Sequence, residues 1–208
     1  MKNYVTFFNI GAYIGETTQA MVELFEELKI DYRTFEFEPI LKYADMIKEK
    51  FKDNKDVTVI PVALSSKRGR YPLYKCPRDD GSSLHSTKWN VNPDDYEMVN
   101  CDIFSEWYNK NVEYKNDNEI YIIKSSINGG EFEFFLDLIN SGLNKTIDIY
   151  CGKIYGNLNK LTHLDDKYVN DFKKFLVKNN IIEIDLTCYS MHNMSIVKER
   201  LLKLMEEN

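Results

Sequence analysis

Residues Tyr4 to Met21 have the sequence YVTFFNIGAYIGETTQAM, and this stretch decides the fold. Its first half is an apolar run that suits a buried strand. Gly11 and Gly15 interrupt the run, and the residues from Glu16 onward have the apolar spacing of an amphipathic helix. We predict a strand that turns tightly into a helix and presents backbone amides to a ligand above the sheet. The glycines would let that ligand lie against the backbone, although a tight turn without a ligand also explains them.

The rest of the chain repeats the alternation of strand and helix. Strands separated by helical crossovers form a parallel sheet with helices on both faces. The predicted fold class is therefore α/β, with a doubly wound, mostly parallel sheet. The predicted strands lie at 32–37, 57–64, 119–125, 146–152 and 181–187, and the predicted helices at 16–29, 41–51, 131–143, 168–178 and 195–207.

Residues 71–108 interrupt the alternation and have little periodicity over their first two thirds. A segment of this length inside a compact domain is typical of a lid or binding segment, or else of disorder. Because the segment is rich in tyrosine and tryptophan, we interpret it as a lid-like insertion in a single domain over residues 1–208. Disorder or simple packing are the alternatives. The first strand begins almost at once, which hints at one domain of a longer polypeptide.

Composition and charge exclude several classes of protein. With a net charge of −6 and a pI of about 5.2, the chain lacks the basic face of a nucleic-acid-binding protein. No apolar segment approaches the roughly 18 residues that a membrane span needs, so we expect no membrane partner. The four cysteines form no Cys-x-x-Cys pair, and the spacing of Cys188 and His192 is interpreted as chance. We expect no metal and no disulfide, with reduced thiols in the cytoplasm.

Glu38 adds a second element to the glycine turn. It follows the second strand, about 20 residues past Gly15, where a nucleotide-binding sheet places the acid that accepts the ribose hydroxyls. A nicotinamide fingerprint needs three glycines to admit a pyrophosphate, whereas this turn offers only Gly11 and Gly15. S-Adenosylmethionine has no phosphate and needs fewer close backbone approaches. It is the favoured cofactor, and a nicotinamide oxidoreductase is the weaker alternative.

Five motifs then occur in a recognisable order: NIGAYIGETT at 9–18, FEP at 37–39, VALSSKRG at 62–69, SSL at 82–84 and IIKSSINGGEFEF at 122–134. In these motifs the chain resembles the FkbM family of S-adenosylmethionine-dependent methyltransferases, over roughly residues 5–143. The resemblance implies a class I methyltransferase fold, which is Rossmann-like, with the cofactor over the carboxyl ends of the first strands. It also implies methylation of a hydroxyl on a sugar or sugar-bearing molecule.

The resemblance also implies the residues of a cofactor site. The glycines of the turn would flank the methionine part of the cofactor, Glu38 would hold the ribose, and residues 63–65 would line the adenine pocket. The predicted cofactor-binding residues are Asn9, Gly11, Ala12, Gly15, Thr17, Thr18, Glu38, Pro39, Ala63, Leu64 and Ser65.

The chain departs from the family pattern near the expected position of the methyl group. The family commonly has Lys-x-Asp-x-Glu-Gly-x-Glu in its later motif, and this chain keeps Lys124, Gly129 and Glu131 but has Ser126 and Asn128 in place of the two acids. Any mechanism that needs that pair, as base or as metal ligands, is in question here. We therefore predict transfer without a metal.

Three residues are candidates for catalysis, since methyl transfer to an alcohol needs alignment of the oxygen and removal of its proton. His85 lies beside the SSL motif and titrates near neutrality, although a lone loop histidine is often structural. Glu131 begins a helix whose dipole would hold it ionised, but it could equally be a simple helix-terminal acid. Lys124 could orient the acceptor or the cofactor, or be solvated at a strand end.

The aromatic residues of the insertion fit a sugar acceptor, and a deoxysugar such as rhamnose would suit them. The predicted acceptor-binding residues are Ser82, Ser83, Trp89, Ser126 and Asn128. Other glycan-assembly domains of the same polypeptide are the expected partners. The alternative from another class is a catalytically degenerate methyltransferase fold that serves as a cofactor-binding or protein-interaction module. The two missing acids favour that alternative, and the retained Glu38 argues against it.

Overall fold

A computed structural model describes residues 2–77, 81–112, 116, 118–154, 156, 161, 163–186 and 193–206. Six strands form the main sheet, in the order β3-β2-β1-β7-β8-β9 with every neighbouring pair parallel. This is the order of a doubly wound sheet, with the change of direction between β1 and β7. The strands are β1 (Tyr4–Ile10), β2 (Asp31–Phe37), β3 (Val57–Ile60), β7 (Glu119–Ser125), β8 (Ile149–Gly152) and β9 (Glu183–Asp185).

Within the described part of the chain, six helices accompany the strands, and they cover both faces of the sheet. The helices are α1 (Glu16–Leu28), α2 (Leu41–Lys50), α3 (Phe104–Asn111), α4 (Glu131–Asn140), α5 (Asp166–Lys178) and α6 (Met194–Glu206). Helices α3, α4 and α5 pack on one face, and α1 and α6 pack on the other. Among the described residues, no helix is long and apolar enough to cross a membrane.

The β1 strand lies at the centre because nearly all of its side chains are apolar and point into two separate cores. Phe8 and Ile10 pack into the core beneath α3, α4 and α5, while Val5 and Phe7 pack into the core beneath α1 and α6. A strand buried on both faces needs a continuous apolar run rather than alternation. The sequence of β1 meets that requirement, and the predicted α/β class with a doubly wound sheet is confirmed.

The segment from Val57 to Leu64 is not one strand, as we predicted, but two. Proline cannot donate to a sheet ladder, and the chain leaves the main sheet at Pro61. It then forms β4 (Ala63–Leu64), which belongs to a second, three-stranded sheet with β5 (Gly69–Tyr74) and β6 (Tyr96–Asp102), in the order β4-β6-β5.

The predicted insertion at 71–108 is more ordered than its sequence indicates. Its ends contribute β5, β6 and the start of α3, and only residues 75–95 between the strands lack regular strands or helices among the residues described. Strand β6 alternates between buried and exposed side chains against β5, so its apolar content is low. Phe104, Trp107 and Tyr108 of α3 pack beside Phe8 in the main core. These aromatics therefore stabilise the domain and do not face an acceptor.

The remaining predicted elements differ from the structure at their ends. Helix α4 ends at Asn140, before Gly142, and β8 begins only at Ile149, after a short 3-10 turn at Leu143–Lys145. Strand β9 is shorter than the predicted 181–187, of which Thr187 lies outside the described residues. The predicted final helix is α6, which begins one residue earlier than expected.

Candidate functional site

The main pocket lies at the carboxyl ends of β1 and β2, next to the loop that follows β7. This is the point where the strand order reverses, which is where ligands bind in open α/β sheets. The pocket has about 640 Å³ of empty space, its open mouth included. Its walls are formed by Ile10, Gly11, Tyr13, Phe37, Glu38, Pro39, Ile40, Tyr43, Val62, Ala63, Leu64, Leu73, Ser82, Leu84, Ser126, Ile127, Asn128 and Gly130.

Glu38 is the only acidic side chain among the residues that line the main pocket, and only 5% of its surface is exposed. The backbone N–H of Tyr13 donates to its Oε2 at 2.8 Å, and the N–H of Ile40 donates to its Oε1 at 2.9 Å. Burial raises the pKa of Glu38 to about 7, although the two amides and the nearby Lys124 oppose that rise. Each carboxylate oxygen accepts one amide and keeps capacity for another donor. Glu38 is thus held rigidly with room for two further hydrogen bonds.

The glycine turn is built differently from our prediction, because the amides of both glycines and of Ala12 donate to carbonyls of the chain itself. The N–H groups of Gly11 and Ala12 both donate to the carbonyl of Phe37 at 3.0 Å, and the N–H of Gly15 donates to that of Ala12. Gly11 has φ +81°, and a Cβ there would collide with the backbone carbonyl of Ser126. Close contact with the chain's own backbone therefore requires a glycine here, and Gly11 also lines the main pocket.

Gly15 faces the protein and, unlike Gly11, does not line the main pocket. It has φ +76° at the start of α1, and a Cβ on it would approach the side chains of Phe51 and Ile47 at 3.2 and 3.4 Å. Ala12 packs in the same small core, beside Val22. Neither Gly15 nor Ala12 is among the residues that line the main pocket, and their roles in binding a cofactor remain predictions.

Asn9 and Thr18 form a buried polar cluster with Glu36, away from the main pocket. Both side chains donate to Oε2 of Glu36, Asn9 Nδ2 at 2.8 Å and Thr18 Oγ1 at 2.5 Å. All three residues are fully buried between the sheet and α1. Among the described residues, Asn9 Oδ1, Glu36 Oε1 and Thr34 Oγ1 have no hydrogen-bond partner. Asn9 and Thr18 are not among the residues that line the main pocket, and their roles in binding a cofactor remain predictions.

The other predicted cofactor residues divide between two pockets. Pro39, Ala63 and Leu64 line the main pocket, as expected of an adenine-binding wall. Ser65 lies instead in a second cavity, which we call the side pocket. Thr17 is buried in the first turn of α1 and does not line either pocket.

Lys124 and Glu131, two of the three catalytic candidates, are committed to backbone groups. Lys124 is buried, and its ammonium donates to the carbonyl of Gly11 at 2.7 Å. Glu131 is fully buried, and its two oxygens accept the N–H groups of Ile127 and Gly129 at 2.8 and 2.7 Å. Glu131 therefore closes the turn before α4, and Lys124 ties β7 to the turn after β1. Neither residue is among the described residues that line the main pocket or the cavity beside His85, and their catalytic roles remain predictions.

His85 is the catalytic candidate that the structure places at a cavity. The side pocket is lined by Leu64, Ser65, Tyr71, Pro72, Leu84, His85, Gly130 and Glu133. Nε2 of His85 lies 3.6 Å from Oε2 of Glu133, an ion-pair distance. The Glu133 carboxylate raises the pKa of His85, although burial opposes the rise. Burial alone would raise the pKa of Glu133, but the neighbouring His85 outweighs it and the pKa is lowered.

The side pocket and the main pocket are adjacent and share three lining residues. Leu64, Leu84 and Gly130 line both cavities, from three different segments of the chain. A molecule in the side pocket would therefore lie next to one in the main pocket. This adjacency is the arrangement that transfer of a group between two bound molecules requires.

The predicted acceptor residues have different surroundings. Ser82, Ser126 and Asn128 line the main pocket. Ser83 is buried, and its hydroxyl donates to the carbonyl of Asn128 at 2.8 Å and accepts the N–H of His85 at 3.1 Å, so it joins the insertion to the loop after β7. Trp89 is 66% exposed and does not line either pocket. Its predicted stacking on a sugar is not supported by this position.

Four polar side chains that line these cavities were not among the predicted site residues. Tyr13 and Tyr43 pack edge to face, 4.8 Å between ring centroids, in one wall of the main pocket. Tyr71 and Glu133 line the side pocket. Glu133 follows Glu131 by two residues in the last motif, and this second acid at a helix start was a usable signal. The positions of the three tyrosines depend on the fold, and their sequence context carries no comparable signal.

The part of the chain that the structure describes contains no candidate metal site and no disulfide. No group of three histidine, cysteine or acidic side chains is placed to hold a metal ion among those residues. Cys76, Cys101 and Cys151 are buried free thiols. Cys188 and His192, whose spacing we interpreted as chance, lie outside the described residues.

Comparison with known proteins agrees with this architecture. No family model and no curated protein sequence matches the chain. Among solved structures, the chain is similar to the crystal structure of the methyltransferase FkbM from Methylobacillus flagellatus KT, with a TM-score of 0.51 and 11% sequence identity. The match covers 86% of this chain but only 38% of that protein, so the chain spans less than half the length of its structural neighbour. At this identity the likeness concerns the fold alone: the chain has the Rossmann-like α/β fold of a methyltransferase.

Proposed function

We propose that the chain is an S-adenosylmethionine-dependent O-methyltransferase of the FkbM type, which methylates a hydroxyl of a sugar or glycan. The main pocket would bind the cofactor, and the acceptor would approach from the side of the insertion. Other glycan-assembly domains of the same polypeptide belong to this proposal, since the structural neighbour is much longer than this chain.

The position of Glu38 is the observation that carries the proposal. Its carboxylate lies in the wall of the pocket at the carboxyl end of β2, fixed by the amides of Tyr13 and Ile40. A pair of vicinal ribose hydroxyls can donate to the two oxygens of one carboxylate, which is how nucleotide-binding sheets hold ribose. Glu131 also accepts two backbone amides, but Glu38 differs from it by lining the main pocket, where a ligand can use the remaining acceptor capacity of the carboxylate.

The rest of the main pocket fits the cofactor by its chemistry. Ala63 and Leu64 provide an apolar wall suited to the adenine ring, and Pro39 continues it. Tyr13 and Gly11 form the opposite rim, where the amino-acid part would lie. Among the described residues, the pocket wall has no lysine or arginine, which suits a ligand without phosphates.

When bound, S-adenosylmethionine would supply a methyl group to the acceptor oxygen: a C–O bond forms, the C–S bond breaks, and the electron pair of the broken bond stays on sulfur. The protein must position the acceptor and receive the hydroxyl proton. Ser126 and Asn128 stand where the family has acids, and hard cations prefer carboxylates. We therefore propose transfer without a divalent metal.

A second candidate function is a domain that binds the cofactor without catalysis. The observation that favours it is that Lys124 and Glu131 are both committed to backbone hydrogen bonds, which leaves His85 as the one predicted catalytic group at a cavity. The two functions share cofactor binding and differ in methyl transfer. The same cofactor titration therefore tests both, and an activity assay separates them.

Isothermal titration calorimetry with S-adenosylhomocysteine tests the proposed function. We expect binding to the parent, weaker binding to Glu38→Ala, and parent-like binding to Glu49→Ala, which changes an exposed acid on α2. Ligand at a hundredfold over its dissociation constant should also add about 2.7 kcal/mol to stability. NAD should give no heat of binding. Equal affinity of the parent and Glu38→Ala for S-adenosylhomocysteine would refute the assignment of the pocket.

A further inference from the structure

The side pocket brings together a titratable pair, an apolar wall and a boundary with the main pocket. His85 comes from the insertion and Glu133 from the first turn of α4, so the fold pairs residues from distant parts of the sequence. Oε2 of Glu133 is buried and makes no hydrogen bond within the described part of the chain. Burying a carboxylate oxygen without a hydrogen-bond donor costs free energy, unless a cationic group or a ligand interacts with that oxygen.

We propose that the side pocket binds the acceptor alcohol and that Glu133 positions His85 to take the hydroxyl proton. This inference rests on the proposed function, because it needs a methyl donor in the main pocket. His85 is then the catalytic base, and Glu133 is a positioning residue that acts through it. A histidine base oriented by a carboxylate is a recurrent arrangement, in which the acid fixes the ring and stabilises its protonated form.

The surroundings of His85 support this geometry. Its backbone N–H donates to Oγ of Ser83, and the same hydroxyl donates to the carbonyl of Asn128, which lines the main pocket. The backbone of His85 is therefore anchored beside the loop that follows β7. The charged and titratable groups around the ring are Glu133, Glu131 and His163, whose ring centroid lies 6.2 Å away. The two acids favour the protonated ring, and His163 contacts the hydroxyl of Thr87 at 2.6 Å.

The opposite wall indicates the chemical class of acceptor. Tyr71, Pro72 and Leu84 form an apolar surface, and among the described lining residues only Ser65 and Tyr71 carry a hydroxyl. A cyclic alcohol with one apolar face matches this wall, since the C–H face of a sugar ring packs on an aromatic ring. The carboxylate of Glu133 disfavours an anionic acceptor through like-charge repulsion. We infer a neutral sugar hydroxyl, of a deoxysugar type, rather than a sugar phosphate.

Methyl transfer to methyl α-L-rhamnopyranoside, followed by mass spectrometry over a pH range, tests the pair. A histidine base must be neutral, so kcat of the parent should rise with pH through the pKa of His85. Glu133→Gln should lower the plateau of kcat about tenfold or more, and should move the inflection to lower pH because the ring loses its carboxylate. Glu49→Gln, in an exposed acid of α2, should behave like the parent.

A direct replacement of the base should be more severe. His85→Gln should lower kcat by about 10²- to 10⁴-fold and remove the inflection. Proton NMR of the histidine C–H resonances provides a readout that does not need activity: the pKa of His85 should fall in Glu133→Gln. A purely structural role for Glu133 would lower activity without moving that pKa or the inflection.

The acceptor wall is tested by a separate pair of variants. Tyr71→Ala should raise KM for the rhamnoside at least fivefold with little change in kcat, while Tyr96→Ala, in an exposed tyrosine of β6, should leave both unchanged. These variants also serve if Glu133→Gln does not fold.

The outcomes separate this inference from the proposed function. If the parent protein does not bind S-adenosylhomocysteine, the proposed function itself is wrong. Normal cofactor binding together with no methylation of the rhamnoside, an unchanged pH profile in Glu133→Gln, or an unchanged KM in Tyr71→Ala would overturn the assignment of the side pocket.

Discussion

The ammonium of Lys124 donates a 2.7 Å hydrogen bond to the carbonyl of Gly11, and this contact fixes the two central strands of the sheet at their carboxyl ends. The same turn is pressed against the loop after β7, where the N–H of Ser126 donates to the carbonyl of Ile10. The floor of the main pocket is thus built from backbone groups of β1 and β7, with a buried lysine holding them together.

Gly11→Ala should destabilise the protein more than a positive φ alone explains. The added Cβ would collide with the carbonyl of Ser126, whereas Gly142 has almost the same φ, +79°, and open space around it. Gly142→Ala should therefore cost about 1–2 kcal/mol from the backbone conformation, and Gly11→Ala about 1–3 kcal/mol more from overpacking. Urea denaturation measures both, and equal losses would show that the turn relaxes freely.

Glu36→Gln should change the pH dependence of stability. Complete burial raises the pKa of Glu36 to about 7, against the hydrogen bonds from Thr18 and Asn9. A raised folded pKa stabilises the fold below the unfolded value, and that stability is lost as pH rises through about 7. Relative to the parent, Glu36→Gln should thus gain about 3 kcal/mol between pH 4.5 and pH 8, because glutamine carries no charge.

Denaturation of the two proteins at pH 5 and at pH 8 measures this difference. Glutamine keeps the shape of the side chain, and its amide can donate where Glu36 Oε1 has no partner within the described residues. A free-energy difference that is constant with pH would show that Glu36 stays ionised throughout.

Cofactor affinity should rise with pH because Glu38 must be ionised to accept both ribose hydroxyls. Burial raises its pKa to about 7, so the ionised fraction grows from about one tenth at pH 6 to about nine tenths at pH 8. Titration calorimetry with S-adenosylhomocysteine should show an increase of up to about tenfold over this range. Glu38→Gln should bind weakly at both pH values, and an affinity that falls with rising pH would contradict the role of this carboxylate.

Much of the sheet could be predicted because its causes are local. The apolar run of β1, the break at Gly11 and the helical spacing of α1 stand next to one another in sequence, and so does Glu38 after β2. The small sheet could not be predicted in the same way. Strands β5 and β6 pair across a long connection, and their half-exposed residues lack an apolar run.

The site was predicted less well than the fold because its contacts are between distant residues. Position 11 requires glycine because the carbonyl of Ser126 lies against it. Ser126 is more than 100 residues away in the sequence, so no local pattern predicts this contact. Glu131 matched a family acid, yet the side chain that lines the cavity is that of Glu133, two residues later in the sequence. His85 was chosen for its chemistry, and its partner could be found only from the fold.

A crystal structure of the chain grown with S-adenosylhomocysteine tests the central claim most directly. The account predicts that the ribose hydroxyls lie on the Glu38 carboxylate, that adenine packs against Ala63 and Leu64, and that the sulfur faces the side pocket and His85. A ligand bound in the main pocket with its ribose away from Glu38, or with its sulfur turned away from the side pocket, would contradict it.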